Sequence, residues 1–127
     1  MKPKFKVVLA VLAGIVIGAV AVQGLHAQAK PPGYFVFDNE VTDAEGYKRV
    51  VELTPASLAP YGARYLIFPT ATREVLQGSP PNRFGVLAFK SMEDAQAWYN
   101  SAPMKEILPI LARTSKPRSF LVEGVSN

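Results

Sequence analysis

Apolar and polar positions divide the chain into two unlike parts. The first is an unbroken apolar run from Val7 to Val22, preceded by Lys2, Lys4 and Lys6. Gln23, Gly24 and His26 then raise the polarity, and Ala27-Gln28-Ala29 places small residues at Ala27 and Ala29, where a signal peptidase needs them. Lys30-Pro31-Pro32-Gly33 follows and breaks any helix. Residues 1–29 therefore read as a cleavable export signal. The run is short for a spanning helix, which needs roughly 20 residues. An uncleaved membrane anchor is the alternative, and is the one route by which the chain would contact a membrane. Both readings put the rest of the protein outside the cytoplasm, periplasmic or secreted.

The second part, residues 30–127, changes period along its length. Tyr34-Phe35-Val36-Phe37 is aromatic and β-branched and predicts a strand to about Val41. Thr42 or Asp43 can cap a helix that turns Tyr47, Val50, Val51 and Leu58 inward. Pro55 and Pro60 are expected to kink or break it, and Gly62 to end it. Arg64 to Phe68 reads as a second strand continuing irregularly to Leu76, and Gly78 to Asn82 as a turn. A third strand spans Arg83 to Phe89. Ser91 caps a second helix, whose Ala95, Trp98 and Ala102 share one face. A further helical piece opens at Pro103 and is expected to break near Pro109, and Ser119 to Val125 is the last strand. The order β-α-β-β-α-β is the ferredoxin-like arrangement, an α+β fold with a four-stranded antiparallel sheet and both helices on one face.

The strands alternate poorly for a sheet with one wet face. Phe35, Phe37 and Val41 oppose Tyr34 and Val36; Gly85, Leu87 and Phe89 oppose Phe84, Val86 and Ala88; Phe120 and Val122 oppose Leu121 and Val125. Helices cover one face only, so the pattern predicts a homodimer packed sheet to sheet.

Charge and composition narrow the chemistry. Removing Lys2, Lys4 and Lys6 from the 14 basic residues leaves 11 against 10 acidic ones, so the domain is almost neutral and carries no footprint for nucleic acid. There is no cysteine, and the single histidine, His26, lies in the signal. The domain thus has no Ser-His-Asp or Cys-His machinery and no ordinary zinc, copper or histidine-ligated haem site, and no metal or cofactor is expected. Carboxylates, arginines and tyrosines remain. Parity groups Tyr34, Asp38 and Glu40 on one face of the first strand; Arg83 lies on the third strand and Glu123 on the fourth. Lining a space between subunits, these would form a small pocket for an anionic or enolic ligand. Ion pairing between subunits is the structural alternative. Arg113 is a candidate for holding an anion or for capping the helix before it.

The ordered set Glu40-Val41-Thr42-Asp43, Tyr61 to Leu66, Glu74-Val75-Leu76, Arg83 to Phe89, Ser91 to Asp94, Ala97 to Ser101, Arg113 and Leu121 to Gly124 resembles the family named domain of unknown function 1330. That family lies in the dimeric α+β barrel superfamily, and the likeness spans roughly residues 33 to 125. It implies the ferredoxin-like fold and the sheet-to-sheet dimer, and no established activity. Two segments depart from the family pattern: Ile67-Phe68-Pro69-Thr70 after the second strand begins, and Met104 where an aromatic is usual. The superfamily includes cofactor-free monooxygenases, haem-degrading enzymes and isomerase-like enzymes, which is analogy by fold. The expectation is an exported dimeric domain that binds a small molecule or partner. The alternative is a cofactor-independent enzyme acting on a small organic acid or aromatic.

Overall fold

Burial alternates strictly along the first strand, β1 (Gly33–Val41): Phe35, Phe37 and Asn39 are buried, while Val36 and Asp38 between them are half-buried. The computed structural model describes residues 30–126 and shows the cause of that alternation. After β1 come α1 (Ala44–Leu58), a 3-10 turn (Ala59–Tyr61), β2 (Arg64–Ile67), β3 (Arg83–Phe89), α2 (Met92–Tyr99), α3 (Ala102–Thr114) and β4 (Ser115–Glu123). The expected signal and its cleavage site, residues 1–29, lie outside the described residues. Among the described residues, no helix is long and apolar enough to cross a membrane.

The four strands form one sheet in the order β2-β3-β1-β4, every neighbouring pair antiparallel. This is the ferredoxin-like sheet expected from the sequence. Its odd-numbered β1 face meets the helices. Phe35, Phe37, Leu87 and Phe89 join Tyr47, Val50 and Leu58 of α1, Ala95 and Trp98 of α2, and Met104 and Ile107 of α3 in one core. Trp98 is its centre, edge-on to Phe35 at 5.0 Å between ring centroids and tilted against Phe89 at 5.2 Å. Its indole N–H donates to the Ser57 hydroxyl at 3.0 Å, and that hydroxyl donates to the Thr54 carbonyl at 2.6 Å. Phe37 lies across β3 at Gly85, where a Cβ would stand 2.5 Å from its ring. Only glycine permits that approach.

Several local expectations are settled or corrected. Of the two caps the sequence offers for α1, Asp43 is the one used, its carboxylate accepting from the Gly46 N–H at 3.1 Å. The helix runs through Pro55 and stops before Pro60, which falls in the 3-10 turn; the Thr54 hydroxyl donates to the Val50 carbonyl at 2.6 Å. Val51, expected inside, is largely exposed. α3 also runs through its internal proline, Pro109, because Met104, Ile107, Leu108 and Leu111 hold its inner face against the core. β2 stops at Ile67 after a bulge, short of Leu76, since Pro69 has no N–H to donate to a ladder. β4 begins at Ser115, ahead of Ser119, and tolerates Pro117 because it is an edge strand.

Residues 68–82 connect β2 to β3 as a long loop fastened by Arg73. Its guanidinium donates to the backbone carbonyls of Pro69 at 2.6 Å, Asn82 at 2.8 Å and Ala71 at 3.3 Å. The other face of the sheet carries Tyr34, Val36, Phe84, Val86, Phe120 and Val122 by register. Phe120 is 59% exposed and Val122 42% exposed on it.

Candidate functional site

A cavity of about 670 Å³ opens between the helix-facing side of the sheet and helices α1 and α3. Its volume falls within the range of small-molecule sites, roughly 300–1,000 Å³. Most of its wall is core: Phe35, Phe37 and Leu87 from the sheet, Trp98 from α2, Met104 and Ile107 from α3. These side chains face inward because β1 and β3 have period two and present their odd-numbered residues to the helices.

The polar side chains of one end come from four elements, and Thr54, Arg118 and Ser119 add further polar lining. Asn39 is the last buried inward residue of β1, and Arg83 opens β3 directly opposite it in the ladder. Tyr47 comes from the first turns of α1 and Tyr65 from β2. Asn39 is only 5% exposed, and its Nδ2 donates to the Tyr47 hydroxyl at 2.9 Å. Its Oδ1 is fully buried and has no hydrogen-bond partner. Such a group costs the desolvation of an unmade bond, of order 1–3 kcal/mol. The Arg83 guanidinium sits over the Tyr47 ring, 5.4 Å from its centroid. Among the described residues, no carboxylate pairs with it. Burial pushes the Tyr65 phenol above its ordinary value of 10.0, with Arg83 opposing and Tyr47 adding to the shift. Tyr65 is therefore a neutral hydroxyl near pH 7.

Among the described residues, the lining includes no Asp, Glu, His, Lys or Cys. It can hold a flat apolar body, give and accept hydrogen bonds, and set a cation beside an electron-rich oxygen. It offers no side chain that titrates near neutrality to move a proton. Among the described residues, no group of three or more His, Cys, Asp or Glu side chains could hold a metal.

The residues singled out from sequence fall into separate places. Tyr34, Asp38 and Glu40 do share a face, the open one. Asp38 accepts from the Asn82 N–H at 2.8 Å and from Arg118 at 3.1 Å, which ties a loop end and β4 to β1. Tyr34 packs against Gly124, and Glu40 is exposed. Arg83 belongs to the opposite, helix-covered face and lines the cavity. Glu123, paired with Gly33, shares that parity but lies at the far end of the ladder, exposed and outside the lining. Arg113 is exposed in the last turn of α3, also outside the lining. Asn39, Tyr47 and Tyr65 were not singled out. Asn39 carried a usable signal, a lone amide at the end of the Phe35-Phe37 face.

The family model for a domain of unknown function, DUF1330, matches residues 32–125. Among curated proteins, none matches the chain significantly. Solved structures share its fold at low identity. A conserved protein of unknown function from Bacteroides thetaiotaomicron, described as a possible oxidoreductase, is 19% identical, with a TM-score of 0.54 over 75% of this chain and 99% of its own. SnoaB, a cofactor-independent oxygenase from Streptomyces nogalater, is 13% identical, with a TM-score of 0.55 over 76% of this chain and 96% of its own. A dimeric ferredoxin-like protein of unknown function from Thermobifida fusca is 12% identical, with a TM-score of 0.50 over 74% and 92%. At these identities the likeness is one of fold.

Proposed function

The chain belongs to the DUF1330 family, and from that footing we propose that its domain binds a planar, largely apolar small molecule between the sheet and the helices, with an oxygen-bearing edge at Tyr47, Tyr65 and Arg83. The observation that carries this reading is the recess of about 670 Å³ lined mostly by apolar and aromatic side chains, with the Arg83 guanidinium in its wall and, among the described residues, no carboxylate paired with it. A large, mostly apolar recess on which a few polar groups converge is the ordinary form of a small-molecule site. Native mass spectrometry on protein purified from its own cells tests it. A discrete small-molecule mass is expected on each subunit, absent from a Leu108→Trp variant, which enlarges a half-buried lining side chain. The same adduct on both would place binding elsewhere.

The domain pairs with a second copy through the open sheet face. Phe120 and Val122 are solvent-exposed there, and an apolar sheet face needs a cover. A protein of the same fold described as dimeric supports this reading. Phe120→Glu is expected to convert dimer to monomer in light scattering; a wild-type monomer at micromolar concentration would refute it. The domain acts outside the cytoplasm, an assignment that rests on Lys2, Lys4, Lys6, the Val7–Val22 run and Ala27-Gln28-Ala29. A mature N-terminus at Lys30 is expected, and an intact Met1 on the native protein would favour an anchor.

A second reading is a cofactor-independent enzyme, and the Arg83 cation, paired with no carboxylate among the described residues, favours it. With no carboxylate or imidazole among the described lining residues, the substrate would have to lose its proton to solvent, and Arg83 would hold the resulting oxyanion. Oxygen uptake that follows addition of the bound compound and falls in Arg83→Gln would support this reading; no turnover of the bound compound would leave a binding protein.

A further inference from the structure

We propose that the ligand of this recess is an aromatic carboxylate, with its acid group on Arg83 and its ring against Phe68 at the mouth. This inference deepens, and rests on, the assignment of the recess as a small-molecule site. Solvent reaches only part of the lining. Phe68 is 51% exposed and Val51 45% exposed, Pro55 is exposed, and Leu108 and Leu111 are half-buried. The Phe68 ring meets the Tyr65 ring edge-on, at 4.8 Å between centroids. Tyr65 in turn lies within electrostatic reach of Arg83, whose charge opposes the effect of burial on its phenol. Arg83 is itself half-buried rather than enclosed. A path from the mouth to the cation therefore runs along Phe68, Tyr65 and Arg83, and its outer wall is apolar.

The charge of the lining selects an anion. The lining holds two guanidiniums, Arg83 and Arg118, and among the described residues no carboxylate. Arg118 is answered from outside the lining by Asp38, at 3.1 Å. Arg83 lies over the Tyr47 ring, 5.4 Å from its centroid, and no carboxylate among the described residues pairs with it. The recess is left with one unbalanced positive charge. In partly desolvated surroundings that charge suits one negative charge, and a dianion brings a second that nothing there neutralises. A phenol, which ionises near about pH 10, brings no charge at neutrality. A carboxylate is charged there and presents two oxygens to the fork of donors on a guanidinium. The Tyr65 hydroxyl, neutral near pH 7, is a further donor on the same wall.

The test titrates three two-ring probes into the full chain by calorimetry: 2-naphthoate, 2-naphthamide and 2-naphthyl phosphate. The amide keeps the ring and the carbonyl and removes the charge. At pH 7 the wild-type protein is expected to bind 2-naphthoate about 10- to 100-fold more tightly than the amide, the range set by a charge-assisted bond in partly buried surroundings. The phosphate is expected to bind no more tightly than the carboxylate. In Arg83→Gln the preference for carboxylate over amide is expected to fall to within about threefold. In Phe68→Ala, a change at an exposed side chain, both ligands are expected to weaken by a common factor of about 3 to 10. Equal affinities of carboxylate and amide for wild type overturn the proposal without any variant and leave the recess assignment standing. A preference that survives in Arg83→Gln overturns it as well, as does tighter binding of the phosphate or an unchanged affinity in Phe68→Ala. Failure of all three probes to bind refutes the recess assignment and this inference with it.

Discussion

Removing the Tyr47 hydroxyl tests what the buried Asn39–Tyr47 pair contributes to the fold. In Tyr47→Phe the ring stays in the core, and Arg83 keeps an aromatic face beneath it. The Asn39 Nδ2 loses its acceptor, so both ends of a side chain only 5% exposed are left unpaired. One newly orphaned buried group costs about 1–3 kcal/mol. For a domain of this size each kcal/mol moves the melting temperature by about 4–8 °C, so a drop of roughly 8–16 °C corresponds to about 2 kcal/mol. The double variant Asn39→Leu/Tyr47→Phe removes the orphaned groups together with the bond and replaces them with apolar groups of similar shape. Its stability is expected to return to within about 0.5 kcal/mol of wild type or to exceed it. Circular-dichroism melts and urea titrations of the three proteins, free of ligand, measure both differences. If the double variant is as unstable as Tyr47→Phe, the polar bond itself supports the fold, and the cost does not lie in the orphaned groups.

Three further expectations concern the frame around the site. Ser57→Ala leaves the buried Trp98 N–H without its acceptor and should cost about 1–3 kcal/mol, while in a Trp98→Phe background the same change should cost much less; equal costs in a double-mutant cycle would show that the 3.0 Å contact is not a bond of consequence. Asp38→Ala unfastens both Asn82 and Arg118 and should cost about 1–2 kcal/mol, with faster exchange of the Asn82 amide; unchanged exchange there would contradict the anchoring role. Tyr65 has a folded-state value raised above 10.0, so the protonated form is favoured by folding: its contribution is constant below about pH 10 and is lost as pH rises through the raised value. Tyr65→Phe should therefore flatten the alkaline end of the stability profile, and an identical decline in the variant would reject burial of the phenol as its cause.

The strand and helix order was legible because period-two and helical stretches alternate cleanly between Tyr34 and Val125, and because Ser91 and the Thr42-Asp43 pair mark helix starts. The prolines misled where tertiary contact outweighs local preference: the inner face of α3, from Met104 to Leu111, carries the helix past Pro109. The site was legible only in part. Parity showed that Tyr34, Asp38 and Glu40 share a face, but a strand does not reveal which of its faces the helices cover. That depends on the register that sets Arg83 opposite Asn39 and Phe37 over Gly85. The cavity depends further on how far α1 and α3 stand off the sheet. Tyr47 was therefore visible as a core residue and invisible as one edge of a polar recess.

The most direct test of the cavity assignment uses the single tryptophan, which lies in its wall and is only 2% exposed. In a nitrogen-15 correlation spectrum its indole N–H gives one resolvable signal. On titration with 2-naphthol, a planar two-ring probe with one hydroxyl, that signal and the Asn39 side-chain amide pair are expected to shift together and saturate. Movement confined to backbone amides of the open face, at Val36, Val86 and Phe120, with the indole signal fixed, would contradict the account and move the site to the other side of the sheet.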